Sequence, residues 1–206
     1  MKVLLVNGSP HQNGCTYTAL CEVAKGLESE GIDYEILHLG NGDIPGCRGC
    51  GYCKKKGECV IKDIVNQTMA RADEFDGFVF GSPVYYAGPA GQLLSFMDRL
   101  FFSSRGRLAY KPAAAVVSCR RGGSTASLDR LNKYFTISNM PVVSSQYWNQ
   151  VHGNSPEEVI QDLEGMQIMR TLGRNMGWML SSIDAGKKAG VKIPEPEEHA
   201  WTNFIR

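Results

Sequence analysis

Short runs of consecutive apolar residues alternate along this chain with longer stretches whose apolar positions recur every three or four residues. Lys2–Val6, Tyr34–Leu39, Gly77–Gly81, Ala113–Ser118 and Pro141–Ser144 read as strands. Between and after them, helical spacing runs over Thr16–Ser29 (Ala19, Leu20, Val23, Leu27), Asp63–Ala72, Gln92–Phe101 (Leu93, Phe96, Met97, Leu100) and Thr125–Ile137. A last helix is expected from Pro156 to Ala185, with Met166, Met169, Leu172 and Met176 on its apolar side. Strands that are apolar almost throughout are buried on both faces, which implies parallel pairing through crossover helices. Five such units predict one doubly wound α/β domain over residues 1–189. A cysteine-rich insertion occupies 46–60, and Trp201, Phe204 and Ile205 predict that a tail at 190–206 docks on the domain.

In an open α/β sheet, ligands bind beyond the carboxyl ends of the strands, where the strand order reverses. The first such loop, Asn7-Gly8-Ser9-Pro10-His11-Gln12-Asn13-Gly14-Cys15-Thr16, runs straight into a helix N-terminus. Free backbone N–H groups and the helix dipole favour a phosphate there. The loop carries neither G-x-G-x-x-G nor G-x-x-x-x-G-K-[ST]. The second strand ends Leu37-His38-Leu39-Gly40, without the acidic residue that would hold a dinucleotide ribose. A phosphate group from something other than a dinucleotide is the expectation. After the third strand, Gly81, Gly88 and Gly91 allow backbone to approach a flat ring, and Tyr85 and Tyr86 offer aromatic faces with hydroxyl handles.

Gly8-Ser9-Pro10…Gly14-Cys15-Thr16, followed by Gly81-Ser82-Pro83-Val84-Tyr85-Tyr86-Ala87-Gly88-Pro89-Ala90-Gly91, resembles the NAD(P)H-dependent FMN reductase family of flavodoxin-like proteins. The resemblance covers roughly the first 145 residues. It implies a five-stranded parallel sheet in the order 2-1-3-4-5 with helices on both faces. It implies FMN, with Ser9, Asn13, Cys15 and Thr16 as the phosphate loop and Pro83, Val84, Tyr85, Tyr86, Ala87 and Gly88 bordering the ring. Ser118, Arg121, Gly122 and Gly123, in the loop after the fourth strand, would close the other side. NAD(P)H would be the electron donor, and the chain would form a homodimer or higher homo-oligomer. Cys15 stands where the family more often has Asn or Ser.

Cys47, Cys50, Cys53 and Cys59 form C-x2-C-x2-C-x5-C, which opens like the bacterial ferredoxin run. Zinc sites more often use two separated C-x2-C knuckles. Arg48, Lys54, Lys55 and Lys56 would offset the charge of thiolates. The spacing resembles the iron–sulfur flavoproteins, a branch of the same family in which a compact cysteine motif holds a [4Fe–4S] cluster. A cluster, a reduced metal-free turn and zinc all stay open on the residues themselves. The Asp98-Arg99 pair reads as ionic contacts at a helix terminus.

The 22 Lys plus Arg against 21 Asp plus Glu leave a net charge of +1, without the basic excess of a nucleic-acid binder. The apolar run Val3–Val6 is too short for an export signal or a membrane span, so a cytoplasmic protein with reduced thiols is expected. His11, His38, His152 and His199 show no metal spacing, and no Ser–His–Asp arrangement stands out. The leading expectation is an FMN-dependent oxidoreductase that passes electrons from NAD(P)H or a reduced carrier such as ferredoxin to a small acceptor, through a [4Fe–4S] cluster where one is held. The flavin carries the chemistry, so no side-chain acid or base is required. The alternatives are a flavin/iron–sulfur electron carrier or redox sensor, and a zinc-stabilised binding module.

Overall fold

The computed structural model describes residues 1–203. Five parallel strands form the sheet: β1 (Lys2–Asn7), β2 (Asp33–His38), β3 (Gly77–Tyr85), β5 (Ala113–Cys119) and β6 (Gln150–His152), in the order β2-β1-β3-β5-β6. A two-residue strand, β4 (Gly88–Pro89), pairs antiparallel with the end of β3. Counting only the parallel strands, this is the expected 2-1-3-4-5 order, and the sequence reverses direction between β1 and β3.

Alternation along the strands divides the core into two layers. Leu4, Val6, Phe78, Phe80, Ala115 and Val117 face α3 (Ile64–Ala70), α4 (Gly91–Ser104) and α5 (Ser124–Ile137). Val3, Leu5, Val79, Ala114 and Val116 face α1 (Cys15–Ser29) and α7 (Leu163–Lys188). The small side chains of β5 leave room for helices on both sides of a central strand. Phe80, Phe101 and Phe135 fill the first layer, with ring centroids 5.6–6.1 Å apart.

α1 and α7 cross at backbone contact. A Cβ on Gly173 would lie 2.2 Å from the Val23 carbonyl oxygen, and one on Gly26 would lie 2.4 Å from that of Arg170. Gly173→Ala is therefore expected to destabilise the protein by about 1–3 kcal/mol, because backbone on both sides must move apart. The measurement is a lower urea midpoint with an unchanged slope.

The last strand and last helix differ from the expectation. Pro141–Ser144 does not form the edge strand; Val142 makes only an isolated bridge to Ala113. Residues 144–149 then bulge away, and pairing resumes when Val117 N donates to the Asn149 carbonyl and β6 begins. The Val142-Val143 run has the right propensity, but an edge strand needs a partner on one side only and tolerates such an interruption. The expected single helix is split into α6 (Pro156–Gln161) and α7. Asp162, at φ −74 and ψ 78, breaks the helix and caps α7 by accepting from Gly165 N. In the tail, Val191–Pro194 line a groove with Trp178 and Tyr110, while Trp201 is exposed. The expected docking of Phe204 and Ile205 lies outside the described residues. Among those described, no helix is long and apolar enough to cross a membrane.

Candidate flavin site and cysteine cavity

Three loops meet at the carboxyl edge of the sheet. The first, between β1 and α1, is braced from within. Asn7 is fully buried; its Oδ1 accepts from Ser9 N at 3.1 Å and its Nδ2 donates to the Gln12 carbonyl at 3.1 Å. Ser9 Oγ accepts from His11 N, and His38 Nε2 at the end of β2 lies 2.9 Å from the Ser9 carbonyl. Gly14 caps α1 without any side-chain hydrogen bond, so the first-turn N–H groups are left to a ligand or water. Thr16 lies in that turn, buried, with Oγ1 2.8 Å from Ser118 Oγ at the end of β5. One hydroxyl proton joins the two oxygens, and the other hydroxyl remains able to donate outwards.

The second loop is a hairpin. Val84 pairs with Pro89 and Tyr85 with Gly88, which leaves Tyr86 and Ala87 as a two-residue turn with φ of 51° and 57°. Ser82 Oγ, fully buried, accepts from Ala90 N at 2.9 Å and closes the base. A turn with positive φ at both central positions normally takes Asn-Gly. Here it carries two side chains in a conformation that costs an L-residue about 1–2 kcal/mol. Tyr86 is fully solvent-exposed, so packing of its own side chain does not hold it in that conformation. Strain of this kind collects at ligand clamps. The double change Tyr86→Asn/Ala87→Gly is expected to stabilise the ligand-free protein by about 1 kcal/mol, read as a higher urea midpoint.

The third loop, Arg120–Gly123, packs on that hairpin. Gly123, at φ +90°, caps α5 without a side-chain bond, and a Cβ on it would lie 2.7 Å from Ala87 Cα. Gly8 N donates to the Gly81 carbonyl at 2.9 Å, so the first and second loops are joined as well. The structure therefore gathers Ser9, Thr16, Ser118, Gly123 and the Pro83–Gly88 hairpin. Asn13, Arg121 and Gly122 lie on the same loops but are exposed. Cys15 points its Sγ toward the Gly153 carbonyl at 3.8 Å, and burial pushes its thiol pKa up. Asn7, His38 and Ser82 brace these loops and were not singled out from the sequence. Asn7 was legible as a polar residue closing an apolar strand; the other two required tertiary contacts.

The cysteine segment leaves β2 and runs beside α4. It has one short helix, α2 (Tyr52–Lys56), between left-handed Gly51 and Gly57. Cys47, Cys50, Cys53 and Cys59 all line one small cavity of about 20 Å³, together with Arg99 and Phe102. Among the described residues, no three His, Cys, Asp or Glu side chains converge closely enough to hold a single metal ion. From Gly91 to Arg99 the helix rises about 12 Å, so the cavity lies roughly two turns along α4 from the hairpin.

Arg99 corrects the expectation of a pair at a helix terminus. It lies within α4, its side chain has no exposed surface, and it forms a two-pronged ion pair with Asp63 at 2.6 and 2.8 Å. Burial alone would lower its pKa, but the hydrogen bonds to Asp63 and Cys59 reverse this, so it stays a guanidinium. Asp63 also caps α3 by accepting from Val65 N. Asp98 serves a different partner, accepting from the Tyr134 hydroxyl.

A 2-1-3-4-5 parallel sheet with its ligand loops at the switch point defines a flavodoxin-like protein. Solved structures share this fold. An archaeal flavodoxin aligns with a TM-score of 0.60 at 16% identity, over 88% of this chain and 99% of that one. An NAD(P)H:quinone oxidoreductase from Methanothermobacter marburgensis aligns with a TM-score of 0.65 at 16% identity, over 85% of this chain and 96% of that one. The chain belongs to the NADPH-dependent FMN reductase family, which matches residues 1–154, and it is a flavin oxidoreductase of that family. It is 31% identical over 193 residues to an iron–sulfur flavoprotein of Methanocaldococcus jannaschii, spanning 89% of this chain and 99% of the relative. An iron–sulfur flavoprotein of Methanosarcina thermophila is 26% identical over 195 residues, spanning 91% and 99%.

Proposed function

We propose that this chain is an FMN-dependent oxidoreductase that takes electrons from NAD(P)H or a reduced carrier such as ferredoxin and passes them to a small acceptor, with a [4Fe–4S] cluster held by Cys47, Cys50, Cys53 and Cys59. The observation that carries the reading is the meeting of two uncapped helix N-termini and a strained aromatic hairpin at one edge of the sheet, beside a cavity lined by all four cysteines. With Ser118 donating to Thr16 Oγ1, the Thr16 hydroxyl would donate to the FMN phosphate, and the N–H groups of the first turn of α1 would complete its shell. The Pro83–Gly88 hairpin would lie along the ring, with Gly122 and Gly123 closing the other side and Arg121 offering a cation near it. Ser9 and Asn13 would shape the phosphate loop, and Cys15 would contribute backbone, its raised thiol pKa arguing against a thiolate there. Bound FMN supplies exchange between two-electron and one-electron chemistry, and a bound cluster supplies one-electron storage.

The protein is read as cytoplasmic and as a homodimer or larger homo-oligomer, without nucleic-acid or membrane partners. Anaerobic purification with counts of FMN, iron and acid-labile sulfide, followed by NAD(P)H oxidation with a quinone or free flavin, tests the reading. Stoichiometric FMN and rapid NAD(P)H oxidation are expected. No flavin binding at micromolar FMN would overturn the assignment of the loops. Reduction by ferredoxin alone would identify a carrier instead of an NAD(P)H enzyme.

A further inference from the structure

We propose that Arg99 is a positioning residue for the iron–sulfur group: it clasps both ends of the cysteine loop and, through an N–H to Cys59 sulfur, raises the group's reduction potential. This rests on the reading that the four cysteines hold a cluster. A guanidinium has five N–H donors, and here each has an acceptor. Nη1 donates to Asp63 Oδ2 and to the Pro45 carbonyl at 3.2 Å, and Nη2 to Asp63 Oδ1 and the Ile61 carbonyl at 3.0 Å. Nε donates to Cys59 Sγ at 3.3 Å.

Pro45 and Ile61 flank the cysteine loop on its two sides, so one buried side chain closes its base. Cys59 is held a second time, by Asn66, whose Oδ1 accepts from Cys59 N at 3.1 Å and whose Nδ2 donates to the Cys59 carbonyl at 2.8 Å. Its sulfur is therefore oriented by the protein itself, whereas Cys47 and Cys50 sit exposed on irregular backbone. A thiol sulfur is a weak acceptor, and a fully buried guanidinium N–H is a strong donor. The pairing becomes favourable when the sulfur carries the negative charge of a metal-bound thiolate. Hydrogen bonds to cluster sulfurs stabilise the more negative, reduced state. Asp63 offsets the guanidinium charge, so the directed N–H bond is what acts on the sulfur.

The test compares wild type, Arg99→Lys and the pair Arg99→Met/Asp63→Asn after anaerobic reconstitution with iron and sulfide. The pair leaves no unpartnered buried charge, and asparagine still caps α3. Dithionite titration followed by electron paramagnetic resonance reads the midpoint potential. The paired variant is expected to be tenfold less reduced at a fixed potential, a fall of 59 mV for a one-electron couple, with a smaller fall for Arg99→Lys. Both variants loading iron with the wild-type midpoint would overturn the proposal. Should neither variant load iron, protein with Arg99 and Asp63 intact and Arg48→Lys as its one change, labelled with guanidino-¹⁵N arginine, decides by pulsed resonance. A nitrogen coupling to the reduced cluster supports the Arg99–Cys59 contact, and its absence overturns it. Wild-type protein that takes up no iron or sulfide would instead remove the cluster reading itself, a result distinct from these.

Discussion

Thr16→Asp is expected to raise the dissociation constant for FMN at least a hundredfold. Thr16 is almost fully buried in the first turn of α1, and its hydroxyl meets that of Ser118 at 2.8 Å. The two side chains join the loop after β1 to the loop after β5, where the proposed phosphate would sit. A carboxylate there opposes a phosphate: two unit charges about 5 Å apart at an effective dielectric of ~20 repel by about 3 kcal/mol, and a hundredfold loss needs only about 2.7 kcal/mol. Thr16→Val keeps the shape and removes the donor, so a smaller loss of about tenfold is expected, in the range of one hydrogen bond to a charged group. Fluorescence titration of the ligand-free protein measures both. Thermal unfolding of each variant without FMN separates lost affinity from lost fold. Ser9→Asp, on the same loop, is the second variant. Unchanged affinity in both aspartate variants would move the phosphate away from this loop.

Removing one cysteine is expected to empty the cavity of iron while leaving the flavin in place. Cys50 is exposed, so Cys50→Ala costs the fold little. Cys53 is buried, with its Sγ 3.9 Å from the Phe102 carbonyl, and Cys53→Ala should cost about 1 kcal/mol in lost packing. Either change should abolish iron and sulfide uptake on reconstitution and the visible absorption of the cluster. FMN content should remain at the wild-type level, because the cysteine cavity lies roughly two turns along α4 from the hairpin and shares no residue with the flavin loops. Iron retained at wild-type levels in both variants would show that these cysteines are not the ligands. Electron transfer to one-electron acceptors should fall with the iron, whereas hydride uptake from NAD(P)H should persist.

Much of the site was legible because its loops are local. Gly8–Thr16 and Gly81–Gly91 are continuous stretches whose glycines, prolines and hydroxyls specify turns without reference to distant residues. The four cysteines were legible by spacing alone. Arg99 was not: in the sequence it is one charge in an amphipathic helix beside Asp98, and the expectation was ionic contacts at a helix terminus. Its partners Pro45, Cys59, Ile61 and Asp63 are close only because the cysteine segment folds back along α4. The strained Tyr86-Ala87 turn was equally hidden, since neither residue type announces a positive φ.

Hydrophobic periodicity determined the alternation of strands and helices, and hence a parallel sheet covered on both faces, because burial of period-2 and period-3.6 patterns has few other solutions. It did not determine which apolar run becomes the edge strand. Val142-Val143 and Val151 are similar in propensity, and the choice fell to hydrogen bonds made across β5, with Asn149 and Gln150 resuming the pairing. Likewise the sequence by itself identified four cysteines and a phosphate-type loop. Only the tertiary structure decided that all four cysteines line one cavity, that a buried guanidinium closes its base, and that three loops meet at the carboxyl edge. Local chemistry is written in neighbouring residues, whereas convergence depends on contacts between segments that the chain brings together only when it packs.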